Sequence, residues 1–168
     1  GPSGICPDCT PVVVATGDWE GIFTIWDCAE GFVWAKNAGA LLINASFIYS
    51  QFYTGWQDLQ DATNYVWSQG GIVFGAAGNA NTNIGLGGTA ESYPAEFPNV
   101  VCVGASQQND DRAYLSANSQ SNYGTPVDIV APGSDIPMMD VWPSGAYTYN
   151  SWDGTSFASP GAMGVAAL

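Results

Sequence analysis

The chain has 168 residues, 46% of them apolar, which suits a single globular domain with a sizeable core. It carries 15 acidic residues but only two basic ones, Lys36 and Arg112, so its net charge is −13. With so few cations to neutralise phosphates, we expect no binding to nucleic acid or to anionic membrane surfaces. No run of 18 apolar residues occurs, which predicts no membrane insertion, and no basic-then-apolar leader opens the sequence. A polar surface with so few charges suits an extracellular, secreted protein.

Short apolar runs alternate with helical patterns along the chain. The predicted strands, in chain order, are residues 11–17, 40–46, 72–79, 100–106 and 126–133. Apolar residues at helical spacing predict helices over residues 22–36 and 56–69, and a closing helix from about Thr155 after a loop rich in Trp, Tyr and Pro. Nearly continuous apolar strands separated by helices predict an α/β fold, with a parallel sheet covered by helices on both faces.

Four cysteines occur, and two of them form a Cys6-Pro-Asp-Cys9 spacing that metal and redox pairs also use. A zinc site would need a second pair or histidines, which the chain lacks, so no metal site is predicted. In an extracellular protein we expect a disulfide between Cys28 and either Cys6 or Cys9. Cys102 lies in an apolar run and is predicted to be a buried free thiol.

Two polar residues stand where catalytic groups are often found. In "DGTSFASPG", Ser156 lies between small residues just where the closing helix begins, so free N–H groups and the positive end of the helix dipole are close to it. Taken alone, it could equally be a serine that caps an ordinary helix. Asn79 follows an apolar strand and Gly78, and its uncharged amide suits the stabilisation of an oxyanion. The alternative for Asn79 is a turn asparagine.

Several blocks of the chain together resemble the subtilisin-like serine proteases, or subtilases. They are "GICPDCTPVVV", "INAS", "IVFGAAGN", "YPAEFPNVVCVGAS", "VDIVAPGSDI" and "DGTSFASPGAMGVAAL", in the order of that family and over essentially the whole chain. The resemblance implies a subtilisin-like parallel sheet and a serine endopeptidase that forms an acyl-enzyme at Ser156. It implies an oxyanion hole made by Asn79 and the backbone N–H of Ser156. The substrate-binding residues that it implies are Ser46, Phe47, Ala77, Gly78, Gly154 and Thr155.

The chain departs from the family at two places in these blocks. The usual Ser-Leu-Gly becomes Ser46-Phe47-Ile48, which puts a β-branched side chain where substrate backbone runs in the family and predicts a narrower or remodelled cleft. The histidine that usually follows Ser-Pro is replaced by Gly161. That histidine is not the catalytic one, so its replacement does not bear on activity.

The sequence lacks the base of the catalytic triad that the resemblance implies. In subtilases the Asp-(Ser/Thr)-Gly and His-Gly-Thr-His segments precede the stretch at which this sequence begins, and the 168 residues contain no histidine. We therefore expect a partial subtilase domain over residues 1–168, truncated at both ends. A serine without a base is a weak nucleophile, so the isolated chain is predicted not to hydrolyse peptides efficiently. No cofactor is required, and structural calcium, which subtilases often bind, has no spaced ligand loop here.

Two functions follow from this incompleteness. In the first, the chain acts on polypeptides once a missing segment or a companion N-terminal chain supplies Asp and His. In the second, it is a degenerate, inactive subtilase domain that serves as an extracellular structural or binding module. The incomplete sheet would then associate with further copies through its apolar, unpaired flank.

Overall fold

The computed structural model describes residues 4–18, 20, 22–50, 54–85, 90–141, 145 and 147–168. The helices of these residues are α1 (Ile25–Asn37), α2 (Trp56–Ser68) and α3 (Thr155–Ala166). The strands are β1 (Leu42–Ala45), β2 (Ile72–Ala76), β3 (Asn83–Ile84), β4 (Val100–Ser106), β5 (Tyr114–Ser116), β6 (Ser119–Gln120), β7 (Tyr123–Gly124), β8 (Ile129–Pro132), β9 (Ile136–Val141) and β10 (Tyr147–Trp152).

A four-stranded parallel sheet in the order β1-β2-β4-β8 forms the centre of the fold. In its register Leu42 lies beside Ile72, and Val73 lies beside Val100. Helices α1 and α2 pack together on one face, over a core that includes Ile43. Helix α3 covers the other face, where Ala158 and Ala162 belong to the second core cluster. The predicted parallel sheet between helices is confirmed, and its apolar strands result from burial on both faces.

Helix α1 begins three residues later than predicted because a capping box fixes its start. The Thr24 hydroxyl accepts a hydrogen bond from the Asp27 N–H at 3.2 Å, and the Asp27 carboxylate accepts one from the Thr24 N–H at 2.8 Å. The hydroxyl of Thr24 also donates to this carboxylate, and these bonds hold the pKa of Asp27 below its ordinary value. Ile22 therefore lies outside the helix and is exposed.

The prediction of a buried strand over residues 11–17 is wrong. The segment has no regular secondary structure, and Val13 is 87% exposed. A β-branched run becomes a strand only when a neighbouring strand accepts its backbone bonds. Among the described residues β1 pairs with β2 alone, and no strand extends the sheet beyond β1.

The predicted loop after residue 133 contains an antiparallel hairpin, β9 with β10. The short ladders of β3 with β7 and of β5 with β6 were also not predicted. Most residues of β10 are exposed, so the strand carries no apolar alternation in its sequence. The partners in the ladder of β3 with β7 are distant in the chain, so local pattern cannot indicate that ladder.

The predicted disulfide to Cys28 is also wrong, since Cys6 and Cys9 are bonded to each other. Their sulfur atoms lie about 4 Å from the Ala167 carbonyl, at the end of α3. Cys28 belongs to α1, on the opposite face of the sheet, so the sheet separates it from the other two. Cys102 is a buried free thiol, as predicted.

The two free thiols are expected to be unreactive in the folded chain. Burial raises the pKa of Cys28 to about 11 and that of Cys102 to about 12, and both are almost inaccessible. Iodoacetamide at pH 8 should therefore add no mass to the native protein and two adducts after denaturation. Because these pKa values lie above that of an unfolded thiol, about 8.5, the stability gained by burying the neutral thiols is present below that pH. It is lost as the pH rises towards 11 to 12. Native labelling at the rate of a free thiol would contradict this prediction.

Candidate active site

The residue before helix α3, Gly154, has no side chain to cap the helix, and this leaves a backbone donor free at Ser156. Gly154 precedes the helix with φ 155°, and its carbonyl accepts from the N–H groups of Phe157 and Ala158. The Ser156 N–H makes no hydrogen bond to another described residue. At the start of a helix such an N–H adds to the positive end of the dipole, so an anion placed there would be stabilised.

Asn79 is joined to the first residue of α3 by its amide oxygen. Its Oδ1 accepts from the Thr155 N–H at 2.9 Å and from the Thr155 hydroxyl at 2.8 Å. The same hydroxyl accepts from the Gly78 N–H at 3.0 Å. These bonds hold the side chain by its oxygen. The Nδ2 group of Asn79 has no acceptor among the described residues, so it is available as a donor.

The free donors and the Ser156 hydroxyl lie around one small space. A Cβ built on Gly154 would stand 2.9 Å from Ser156 Oγ and 3.5 Å from Asn79 Nδ2. Glycine at this position therefore keeps the space open. The arrangement offers a hydroxyl and two N–H groups, which are the elements needed to attack a carbonyl and to hold the resulting oxyanion.

Ser46 connects the end of β1 to the serine helix. Its hydroxyl donates to the Ser156 carbonyl at 2.8 Å. That carbonyl lacks its usual helical donor because residue 160, four positions on, is a proline without an N–H. Asn44 extends the link, since its Nδ2 donates to Ser46 at 2.9 Å and its Oδ1 accepts from Ser159 at 2.7 Å. Ser46 was predicted as a substrate-binding residue, and the structure shows that its side chain stabilises the first turn of α3.

The whole sequence, residues 1–168, matches the family model described as "Peptidase_S8: Subtilase family". The chain belongs to the subtilase family. It is 38% identical over all 168 residues to thermitase of Thermoactinomyces vulgaris and 39% identical to a thermophilic serine proteinase of Bacillus sp. (strain AK1). The chain spans 54% and 37% of the lengths of these two relatives.

Solved structures agree with this family assignment. The prenylagaramide maturation protease PagA superposes with a TM-score of 0.69 at 27% identity, over 89% of this chain and 50% of that one. A lanthipeptide protease superposes with a TM-score of 0.76 over 98% of this chain and 56% of that one. At 24% identity the latter shows the fold alone. The subtilisin-like α/β fold predicted from the sequence is therefore confirmed.

The remaining predicted site residues of this subtilase differ in what they can contact. The ring of Phe47 stacks on Phe32 at 6.1 Å and meets Phe23 and Tyr49 edge-on, within the aromatic part of the core under α1. Its side chain therefore does not face Ser156, and only its backbone remains available for the predicted substrate contact. The carbonyl of Ala77 accepts from Ser92 Oγ at 2.7 Å and from Asn122 Nδ2 at 2.9 Å, so it is already paired.

Ile48 fills the crevice between the segments that follow β1 and β2. Its Cδ1 lies 2.7 Å from the point where a Cβ on Gly78 would stand. The sequence predicted a narrower or remodelled cleft at this position, and the closeness of Ile48 to Gly78 gives that prediction a physical basis.

Removing the Ile48 side chain is expected to change which peptides are cleaved. If the chain acts as a protease once a segment with the missing Asp and His is supplied, Ile48→Gly should increase the preference for a large apolar side chain over alanine next to the scissile bond. The increase in the ratio of the two kcat/KM values should be about 10-fold or more, the usual effect of reshaping an apolar pocket. Val130→Gly, at an exposed position on β8 at the opposite edge of the central sheet from β1, serves as the control. An unchanged ratio in Ile48→Gly would show that this side chain does not limit the cleft.

Two residues that hold the site together were not predicted, Ser92 and Asn122. They are 1% and 4% exposed, and both contact the segment that carries Asn79. The partners of Asn122 lie about 40 positions earlier in the sequence, so no local pattern marks it.

Among the described residues no group of three or more His, Cys, Asp or Glu that could hold a metal ion occurs. None of the described helices has the length and apolar character that a membrane span needs.

Proposed function

We propose that this chain is the serine-bearing part of a subtilisin-like endopeptidase that cleaves polypeptides through an acyl-enzyme at Ser156. The observation that carries the proposal is the convergence of three groups at the start of α3. They are the Ser156 hydroxyl, the Ser156 N–H and Asn79 Nδ2. Membership of the subtilase family supports the same activity.

The chemistry follows from these positions. A base removes the proton of Ser156 as its Oγ attacks the substrate carbonyl, and Asn79 Nδ2 with the Ser156 N–H donates to the oxyanion. The C–N bond breaks when the protonated base gives its proton to the leaving amine. Water then attacks the acyl-enzyme with the help of the same base and releases the carboxylic acid. The reaction uses only protein groups and water, so the proposal includes no cofactor, and structural calcium stays unassigned.

The base and its aspartate partner would come from a segment outside these 168 residues, either preceding them or on a companion chain. The free edge of β1 and the unpaired residues 11–17 support this, because both offer backbone groups that an added strand would pair. Residues 1–168 then form one partial domain. Its low charge content and polar surface favour an extracellular location.

A second candidate function rests on the same surface. Val13 and Leu41 are 87% and 66% exposed, and apolar exposure beside a free strand edge favours association. An inactive subtilase domain that assembles with further copies of itself would use these residues without any catalysis.

Labelling with a fluorophosphonate distinguishes the two functions. The chain alone should label slowly at Ser156, and it should label rapidly once a polypeptide carrying Asp-Thr-Gly and His-Gly-Thr-His is supplied. Intact mass analysis of the native material should then find that segment joined to the chain or bound to it. A homopolymer of this chain that never labels would favour the inactive module.

A further inference from the structure

The conformation of the loop that carries Asn79 depends on hydrogen bonds to residues outside the loop. Gly78 has φ 102° and Asn81 has φ 55°, so left-handed residues lie on either side of Asn79. Backbone that changes hand in this way cannot form a repeating pattern of hydrogen bonds, so residues outside the loop must satisfy its polar groups. The position of the Asn79 amide therefore depends on those partners.

Asn122 supplies more of these partners than any other single residue. Its Oδ1 accepts from the N–H groups of Ala80 at 3.0 Å and Thr82 at 3.1 Å, and from the Thr82 hydroxyl at 3.0 Å. Its Nδ2 donates to the Ala77 carbonyl at 2.9 Å, and its backbone N–H donates to the Gly78 carbonyl at 2.7 Å. One residue thus bonds to the loop before Asn79 and after it.

Asn122 is itself held on the central sheet. The hydroxyl of the preceding residue, Ser121, accepts from the Ala105 N–H in β4 at 2.9 Å and donates to the Asn122 carbonyl at 3.0 Å. The following residue, Tyr123, donates its N–H to the Thr82 carbonyl at 3.1 Å. The bonds to the loop therefore start from a fixed point rather than from a mobile surface.

Thr155 and Asn122 hold Asn79 from two sides. Thr155 binds the side-chain oxygen of Asn79, and Asn122 binds the backbone around it. A donor to an oxyanion is effective only when it is placed before the reaction begins, since reorganisation during the reaction would cost the energy that it supplies. We propose that Asn122 is a positioning residue, which fixes the Asn79 amide for oxyanion binding by bonding to both sides of its loop. This inference rests on the proposed function.

Only an amide side chain meets the requirements at position 122. It must donate to Ala77 and accept from Ala80 and Thr82, which a carboxylate or an aliphatic group cannot do. The space is also closed, because a Cβ on Gly78 would overlap the Nδ2 group of Asn122. A shorter side chain would leave buried loop groups without partners.

The first measurement uses this chain alone. Asn122→Ser and the isosteric Asn122→Asp are compared with wild type by ¹H–¹⁵N NMR, with Asn118→Ser, at an exposed turn position, as the matched control. In Asn122→Ser we expect exchange of the Ala80 and Thr82 amides to accelerate about tenfold or more, because their acceptor is removed. In Asn122→Asp the carboxylate still accepts from these amides, but it cannot donate to the Ala77 carbonyl and repels it, so the loop is displaced on that side. The side-chain resonances of Asn79 should shift or broaden in both variants and stay in place in the control.

The second measurement uses the active protease, with the Asp- and His-bearing segment supplied. Both variants should lower kcat about 10- to 100-fold and leave KM within about twofold, since a displaced donor weakens the transition state rather than substrate binding. A purely stabilising role would lower the unfolding temperature and leave kcat unchanged, and that result would overturn the proposal.

Two further results keep the test decisive. If Asn122→Ser and Asn122→Asp fail to fold, Thr82→Val removes one donor to Asn122 Oδ1 with little change in volume, and a smaller fall in kcat is expected. If the supplied wild type shows no hydrolysis, the proposed function fails, and the Asn79 resonances then decide this inference alone. Resonances that stay in place in the Asn122 variants would overturn it.

Discussion

Supplying the missing Asp- and His-bearing segment is expected to raise the kcat of this chain for peptide hydrolysis by about 10⁶-fold. The magnitude is that lost when the histidine of the related enzyme subtilisin is removed. The physical reason is that Ser156 has donors for an oxyanion but no base, and a neutral serine hydroxyl is a poor nucleophile at pH 7. The measurement compares turnover of a chromogenic peptide by the chain alone and by the chain with the segment.

Ser156→Ala is the control for this comparison. With the segment supplied, the variant should stay near the rate of the isolated wild-type chain, because the oxyanion donors remain but the nucleophile is absent. The hydrogen bonds between Thr155 and Asn79 do not involve the Ser156 hydroxyl, so the unfolding temperature of the variant should change little. An isolated wild-type chain that turns over as fast as the supplied one would refute the requirement for an external base.

Removing the amide of Asn79 should give the second largest effect. Asn79→Ala in the active protease is expected to lower kcat by about 10²–10³-fold with little change in KM, a magnitude measured for the equivalent type of donor in subtilisin. The loss would appear in kcat because the oxyanion exists in the transition state and not in the bound substrate. Steady-state kinetics on one peptide provide the measurement, with Asn118→Ala as the control.

Asn79→Asp separates donation from positioning. An aspartate keeps an oxygen to accept from the Thr155 N–H and hydroxyl, so the link to α3 is retained. It has no N–H group, and it places a negative charge where the oxyanion forms, so kcat should fall at least as far as in Asn79→Ala. Activity near wild type in Asn79→Asp would mean that Asn79 supports the helix and does not donate to an oxyanion.

Much of the fold could be read from local sequence. Apolar periodicity located α2 from Trp56, and the apolar run of β4 coincides with Val100–Ser106. The start of α3 at Thr155 was indicated by glycine, small residues and a proline within its first turns. These elements are predictable because burial on a sheet face or along a helix leaves a repeating pattern in the sequence itself.

The site was predictable in part, and for a different reason. Ser156 and Asn79 stand in short motifs whose chemistry is recognisable, and resemblance to subtilases assigned their roles. The same resemblance assigned Ser46 and Phe47 to substrate binding, and this stays a prediction, but their side-chain directions were not predictable: Ser46 points its hydroxyl to the Ser156 carbonyl and Phe47 packs its ring in the core. Strand ends carry no periodicity that would indicate these directions.

The sequence by itself determined the family, the order of the central elements, the negative charge and the absence of a histidine base among these 168 residues. Only the tertiary structure decided that Cys6 bonds to Cys9, that residues 11–17 lack a strand partner, and that Asn122 holds the Asn79 loop. The physical reason is the range of the interactions. Helix and strand patterns come from neighbours within a few residues, whereas disulfides, sheet edges and the bonds of a buried amide depend on groups brought together from distant parts of the chain.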